Sequence, residues 1–114
     1  MTALEQGDTD GVVALLTDDV WLRMPPLPME YQGHELARQF FATVVFRPGR
    51  RFRAFPTAAN RQPALAIYEH DPHSQALRAN GLFVLTLAGD QIRAITRFDA
   101  TAVTRCGFPR IMTQ

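Results

Sequence analysis

A single cysteine, Cys106, stands among the 114 residues. It excludes an internal disulfide and suggests a reducing compartment. No apolar run approaches the ~18 residues that span a bilayer. The opening "MTALEQGD" lacks both the basic stretch and the apolar core of a secretory leader, so a soluble cytoplasmic protein is expected. Charge of one sign is lacking too: twelve basic against eleven acidic side chains leave a formal net charge of +1. That balance supplies no global field to draw in nucleic acid. Repeats, low-complexity tracts and linkers are absent, as are G-x-S-x-G, P-loop and dinucleotide fingerprints. His34, His70 and His73 fall into no metal-ligand spacing, so neither metal nor cofactor is expected.

What remains is an ordinary globular balance, 46% apolar and 20% charged, long enough for one domain over residues 1–114 with a real core. "TALEQ" reads as one helical turn ended by Gly7, too short to persist unless another element holds it or the chain once began further upstream. A helix follows over about 9–16, capped by Asp8 or Thr9. "DVWLRM" reads as a strand stopped by Pro25-Pro26. A second helix spans about 34–46, where Leu36, Ala37, Phe40, Phe41, Val44 and Val45 form a wide apolar stripe. After the break at "RPGR", four strands follow as a meander: "RFRAFPTAA", "ALAIYEH", "LRANGLFVLTL" with Gly81 as a bulge or bend, and "QIRAITRF" after a Gly-Asp turn. The tail is a short helical turn with a Gly-Phe-Pro stop. Helices followed by a meander predict an α+β domain, an antiparallel sheet bent around helices with a ligand-sized hollow at its open end.

Strand alternation then assigns faces. Leu22 and Met24 are expected on the hollow side of their strand. Tyr68 and His70, with Ala64 and Ala66, are placed there on theirs. In "QIRAITRF", Thr96 and Phe98 are set inward and Arg93 and Arg97 outward. The expected lining is therefore Leu22, Met24, Phe40, Tyr68, His70, Phe83, Thr96 and Phe98. Trp21, Arg23, Leu65 and Ile67 fall on the other face, where they could meet a homodimer partner or neighbouring domains. For Trp21, packing under a helix is an equal alternative. The basic run "RPGRRFR" at 47–53 reads as a solvated turn, and Asp18-Asp19 as a helix-to-strand turn rather than a metal pair. Cys106 reads as a small packed residue.

"ALEQGDTDGVVALLTDDVWLRMPP", the Gly33-led helix and the strands ending in "RF" resemble the NTF2-like superfamily, in its SnoaL-like and ketosteroid-isomerase-like branch. More narrowly, "LLTDDVWLRMPPLPMEYQG", "TAANRQPALAIYE", "ANGLFVLTLAGDQIRAITRFDA" and "CGFPR" resemble the C-terminal SnoaL-like domain of extracytoplasmic-function sigma factors, in actinobacterial style. That resemblance implies a cone-shaped accessory domain in transcription regulation, with its first helix truncated here. It also implies the sigma-factor core of a parent chain as partner, with no direct contact to nucleic acid or membrane.

The isomerase branch implies a general-base aspartate and an oxyanion-stabilising tyrosine and aspartic acid, the mechanism of ketosteroid isomerase. Carried across, the base position falls on Met24 and the oxyanion aspartate on Gly81, and the tyrosine would lie before Met1. A thioether and a hydrogen atom perform neither task. Each such loss costs roughly 10²–10⁴-fold in rate. The expectation is a non-catalytic module that holds a small apolar ligand, with "MPPLPMEYQG" as pocket wall. The alternative is a small polyketide-cyclase or isomerase-type enzyme using His70 and Tyr68. Against it stands the plainer reading: a Tyr68 hydroxyl bonded to backbone and a solvated His70.

Overall fold

The computed structural model describes residues 2–25, 30–46, 49–59 and 61–113. Two short helices, α1 (Thr2–Glu5) and α2 (Thr9–Val13), precede strand β1 (Leu16–Arg23). Strand β2 (Glu30–Gln32) leads into helix α3 (His34–Phe40), whose path continues as wider π-type turns over Phe41–Val45. The meander is β3 (Phe52–Ala59), β4 (Gln62–His70), β5 (Ala76–Ala88) and β6 (Gln91–Asp99). Helix α4 (Ala100–Arg105) and strand β7 (Ile111–Thr113) close the chain. The spatial order is β2-β1-β6-β5-β4-β3, with β7 against β5. All pairings are antiparallel except β1 with β6.

Local chemistry sets the helix starts. The Asp8 carboxylate accepts from the Gly11 amide at 3.0 Å, and Asp99 accepts from the Thr101 amide at 3.0 Å, so each fills an N-cap. Gly33 begins α3 at φ 97, a backbone region that side chains disfavour, while its amide donates to Val20 O at 2.8 Å. The lone turn α1 is indeed held by another element. Leu4 is buried, and the Glu5 carboxylate accepts from the Ala54 amide on β3 at 2.9 Å and lies 3.3 Å from Arg53 Nε.

The curved, unclosed sheet has two covered faces. Its concave face packs Val20, Leu22, Ala54, Leu65, Ile67, Phe83, Leu85, Ile92 and Ile95 against Leu4, Val12, Ala37 and Phe41 of the helices. Its convex face packs Ala64, Ala66, Tyr68, Leu77, Leu82 and Val84 against Val103 of α4, with Phe108 and Met112 of the tail beside them.

Two bulges decide which residues look into the cone. In β4–β5 the pairing runs Ile67↔Gly81 and then Tyr68↔Ala79, leaving Asn80 as the extra residue. In β5–β6 it runs Thr86↔Ala94 and then Leu87↔Ile92, leaving Arg93 extra. Each extra residue exchanges the faces of everything beyond it. Ile92 and Ile95, three apart, therefore share the concave core. Thr96 and Phe98 pair with Val84 and Leu82 on the convex side, while Arg97 turns inward opposite Phe83. The expected facing of β6 is thus reversed from Ala94 onward. That of β4 is reversed as well: Leu65 and Ile67 belong to the concave core, and Ala64, Ala66 and Tyr68 to the convex one.

Three smaller expectations also shift. Asp18 and Asp19 lie inside β1, not in a turn before it. The helix expected over 9–16 ends at Val13. Strands β2 and β7, three residues each, have too little pattern to be read from sequence.

Candidate functional site

The open end of the cone holds a cavity of about 170 Å³. Its apolar walls come from every layer: Leu4 of α1, Met24 just past β1, Phe40 and Val45 of the α3 segment, and Phe52, Ile67 and Phe83 of the meander. The aromatic rings form a connected wall. Phe40 meets Phe41 edge-on at 5.5 Å between centroids, Phe41 meets Phe46 at 5.8 Å, and Phe46 meets Phe52 at 6.4 Å. Such contacts, worth about 0.5–1.5 kcal/mol each beyond area burial, stiffen this side of the cavity.

The remaining lining is polar: Arg50, Asn80 and Arg97. Arg50 Nε and Nη2 donate to the two Glu69 carboxylate oxygens, both at 2.8 Å, in a fork that matches the carboxylate's planar geometry. The Arg50 guanidinium also lies 4.8 Å over the Phe52 ring. Arg50's hydrogen bonds hold the Glu69 carboxyl below its usual range against the opposing effect of burial, and Glu69 in turn raises Arg50. Asn80 Nδ2 approaches Glu69 Oε1 at 3.4 Å. Arg97 Nη2 donates to the Asn80 carbonyl at 2.9 Å and approaches its Oδ1 at 3.4 Å. Burial depresses the Arg97 pKa, Asp99 opposes that shift and Arg50 adds to it. An arginine nonetheless stays protonated.

Gly81 makes room for this arrangement. A Cβ there would stand 2.8 Å from the Phe98 carbonyl oxygen and 3.1 Å from both Nε and Nη2 of Arg97. The space beside Gly81 is bounded by a guanidinium.

Of the expected lining, Met24, Phe40 and Phe83 border the cavity, and Leu22 is buried in the same core layer. Tyr68, His70, Thr96 and Phe98 do not border it. Tyr68 is buried on the convex face, its ring edge-on to Phe55 at 5.5 Å and its hydroxyl donating to the Pro109 carbonyl; burial pushes the phenol up. His70 borders a separate polar hollow with Glu69, Asp71 and Arg78. Phe98 lies in an outer groove with Pro25 and Thr101. Tyr68 and His70 are therefore not brought together at the cavity. Leu65 and Ile67 are buried in the concave core and cannot form an outer partner surface, whereas Trp21 and Arg23, half-buried, border a hollow with Asp19 and Arg93, the Arg23 guanidinium 5.2 Å from the Trp21 ring. Of "MPPLPMEYQG", residues 26–29 lie outside the described residues.

Arg50, Asn80 and Arg97 lie outside the lining that strand alternation predicts. Arg50 sits in the run read as a solvated turn, and Arg97 required the Arg93 bulge to turn inward. The signal that could have revealed it is the three-residue spacing of Ile92 and Ile95, which strict alternation forbids. Among the described residues no cluster of three or more His, Cys, Asp or Glu could hold a metal ion. No helix among them is long and apolar enough to cross a membrane.

A model of the SnoaL-like domain matches residues 1–95. Solved structures with the same fold include an NTF2-like protein of unknown function from Mesorhizobium loti, 13% identical, TM-score 0.65, covering 86% of this chain and 82% of that one. A putative ketosteroid isomerase from Kribbella flavida is 17% identical, TM-score 0.67, over 86% of this chain and 70% of that one. SalBIII, an epoxide hydrolase/cyclase-like enzyme in pyran ring formation in polyether salinomycin, is 16% identical, TM-score 0.65, over 99% and 88%. At these identities the likeness establishes the NTF2-like fold. No curated protein matches the sequence.

Proposed function

This chain belongs to the SnoaL-like domain family, and from that premise we propose that its cone is a small-molecule binding site that holds its guest without transforming it. The observation that carries this reading is the lining: seven apolar side chains, an amide and two guanidinium groups, with no carboxylate among the described lining residues. Glu69, next to the polar end, is tied to Arg50 through both oxygens and held ionised. A base engaged in that way is a poor proton acceptor for carbon acids. Met24 and Gly81 stand where the resemblance to the isomerase branch puts the two acidic groups.

The biological setting we propose is the one the four sequence blocks suggest, an accessory regulatory domain of the extracytoplasmic-function sigma-factor type. A guest would act by population shift, favouring one arrangement of domain and sigma core only to the extent that it binds the two arrangements differently. Trp21 and Arg23, outside the cone, offer a surface for that contact.

Titration with toluene and cyclohexanone, followed by amide NMR, tests the binding half. Saturable shifts at Phe40, Ile67 and Phe83 without exchange or isomerisation of an enolisable ketone support it. Turnover that disappears on filling the cavity overturns it. The DNA upstream of the Met1 codon tests the setting: an in-frame sigma core supports it, and a promoter with its own ribosome-binding site there removes it.

A further inference from the structure

Arg97 sits in the cone with most of its hydrogen-bonding capacity unused. Its Nη2 serves Asn80. Among the described residues, Nε and Nη1 have no hydrogen-bond partner and the guanidinium forms no ion pair. Asp99, the carboxylate that acts on Arg97, and Glu69, the carboxylate beside the polar end, are both engaged elsewhere. Glu69 is forked by Arg50, and Asp99 caps α4 through the Thr101 amide. Half-burying a cation costs free energy unless it is paired, and here the chain is arranged to keep the cation in place. The bulge at Asn80 presents a carbonyl that fixes the guanidinium, and the bare Gly81 leaves the floor on which it lies.

Resting on the reading of the cone as a binding site, we propose that Arg97 receives the carboxylate of an amphipathic acid whose apolar body lies among Phe40, Phe52, Ile67 and Phe83. A guanidinium whose Nε–H and Nη1–H groups are free offers a carboxylate charge-assisted hydrogen bonds. The apolar walls have no use for a wholly polar anion. Size narrows the class further. A dry protein cavity of about 150 Å³ accepts benzene, so about 170 Å³ suits a single ring or a short branched chain, and the ligand class is an aryl or branched-chain monocarboxylic acid.

The test uses benzoate, benzyl alcohol (the same body without charge) and acetate (the head without the body), titrated into the intact chain and followed by calorimetry and by the Arg97 Nε–H resonance. Benzoate is expected to bind about tenfold tighter than benzyl alcohol and to move the Nε–H resonance, which benzyl alcohol leaves in place. Acetate is expected not to saturate. Arg97→Met, of similar length, should abolish the preference, so that benzoate binds no tighter than benzyl alcohol does in the same variant. Because the Nε–H readout is taken on the unmodified chain, the test survives a variant that does not fold. Benzyl alcohol binding with benzoate equal or weaker, or an unmoved Nε–H, overturns this inference and leaves the apolar site standing. Failure of both aromatic probes overturns the binding-site reading as well.

Discussion

Arg50 and Glu69 join β4 to the loop before β3 through two parallel 2.8 Å hydrogen bonds. Both side chains are about 30% exposed, at 27% and 31%, so solvent screens the pair only partly and a contribution of about 1–2 kcal/mol is reasonable. The sign follows from Glu69, whose folded pKa lies below the ordinary 4.5. Its stabilisation is complete above about pH 4.5 and is lost as pH falls through the lower, folded value. Glu69→Gln should lose about 1–2 kcal/mol in urea unfolding at pH 7, and the gap to the unmodified chain should close in acid. Glu5 and Asp71 are also held low, by the Ala54 and His73 amides, so the variant keeps part of the acid slope. A gap constant from pH 7 to pH 3 would refute the account.

Gly81 is a matter of space. The nearest atom to an added Cβ is the Phe98 carbonyl oxygen at 2.8 Å, part of the strand backbone and unable to swing aside. Gly81→Ala should therefore destabilise the chain by about 1–3 kcal/mol. Because Arg97, at 3.1 Å, is flexible and the backbone is not, removing the guanidinium should give little relief. The double variant Gly81→Ala/Arg97→Ala, compared in a double-mutant cycle, should show a coupling small beside the single-site loss. Full rescue would mean that the side chain, not the strand, is the obstacle.

Tyr68→Phe tests the role of the phenol. The hydroxyl donates to Pro109, 41 residues along the chain, and so ties the tail down over the convex face. The expected loss is about 1 kcal/mol, with faster amide exchange over residues 106–113. Toluene binding in the cone should be unchanged. A selective loss of toluene affinity would put Tyr68 back at the cavity and revive the acid–base reading.

Much of the fold is legible in the sequence because its signals are local. The stripe from Leu36 to Val45, the Gly89-Asp90 turn and the cap at Asp8 each depend on a few neighbouring residues. Facing is harder, because it depends on counting along a strand without error. In β4, Ala64 to Tyr68 are all buried, helices covering one side and α4 with the tail the other, so alternation carries no polarity signal there. In β6 strict alternation from Ile92 passes over the bulge at Arg93 and sets Arg97 outward. Met24, Phe40 and Phe83 precede or escape these discontinuities, and they are the expected residues that border the cavity. Arg97 and Asn80 depend on the bulges themselves: for Arg97 the spacing of Ile92 and Ile95 is the one sequence hint, and for Asn80 only the pairing register reveals it.

That reversal of faces makes a prediction in which side-chain size and stability loss run in opposite directions. Ile67 is 2% exposed on the concave side, and Phe98, though larger, is 36% exposed on the convex side. Were Phe98 a lining residue of the cone, its truncation would be the costlier. With the observed register, Ile67→Ala should cost about 2–5 kcal/mol, since it removes buried methyl groups from a wall that collapses only partly. Phe98→Ala should cost about 1 kcal/mol, because much of the ring already meets water. Urea midpoints at unchanged m-values measure both. Toluene affinity supplies an independent reading, altered by Ile67→Ala and insensitive to Phe98→Ala. Were Phe98→Ala the more damaging on either scale, the bulge at Arg93 would be misplaced, Arg97 would face solvent, and the carboxylate site built on it would go too.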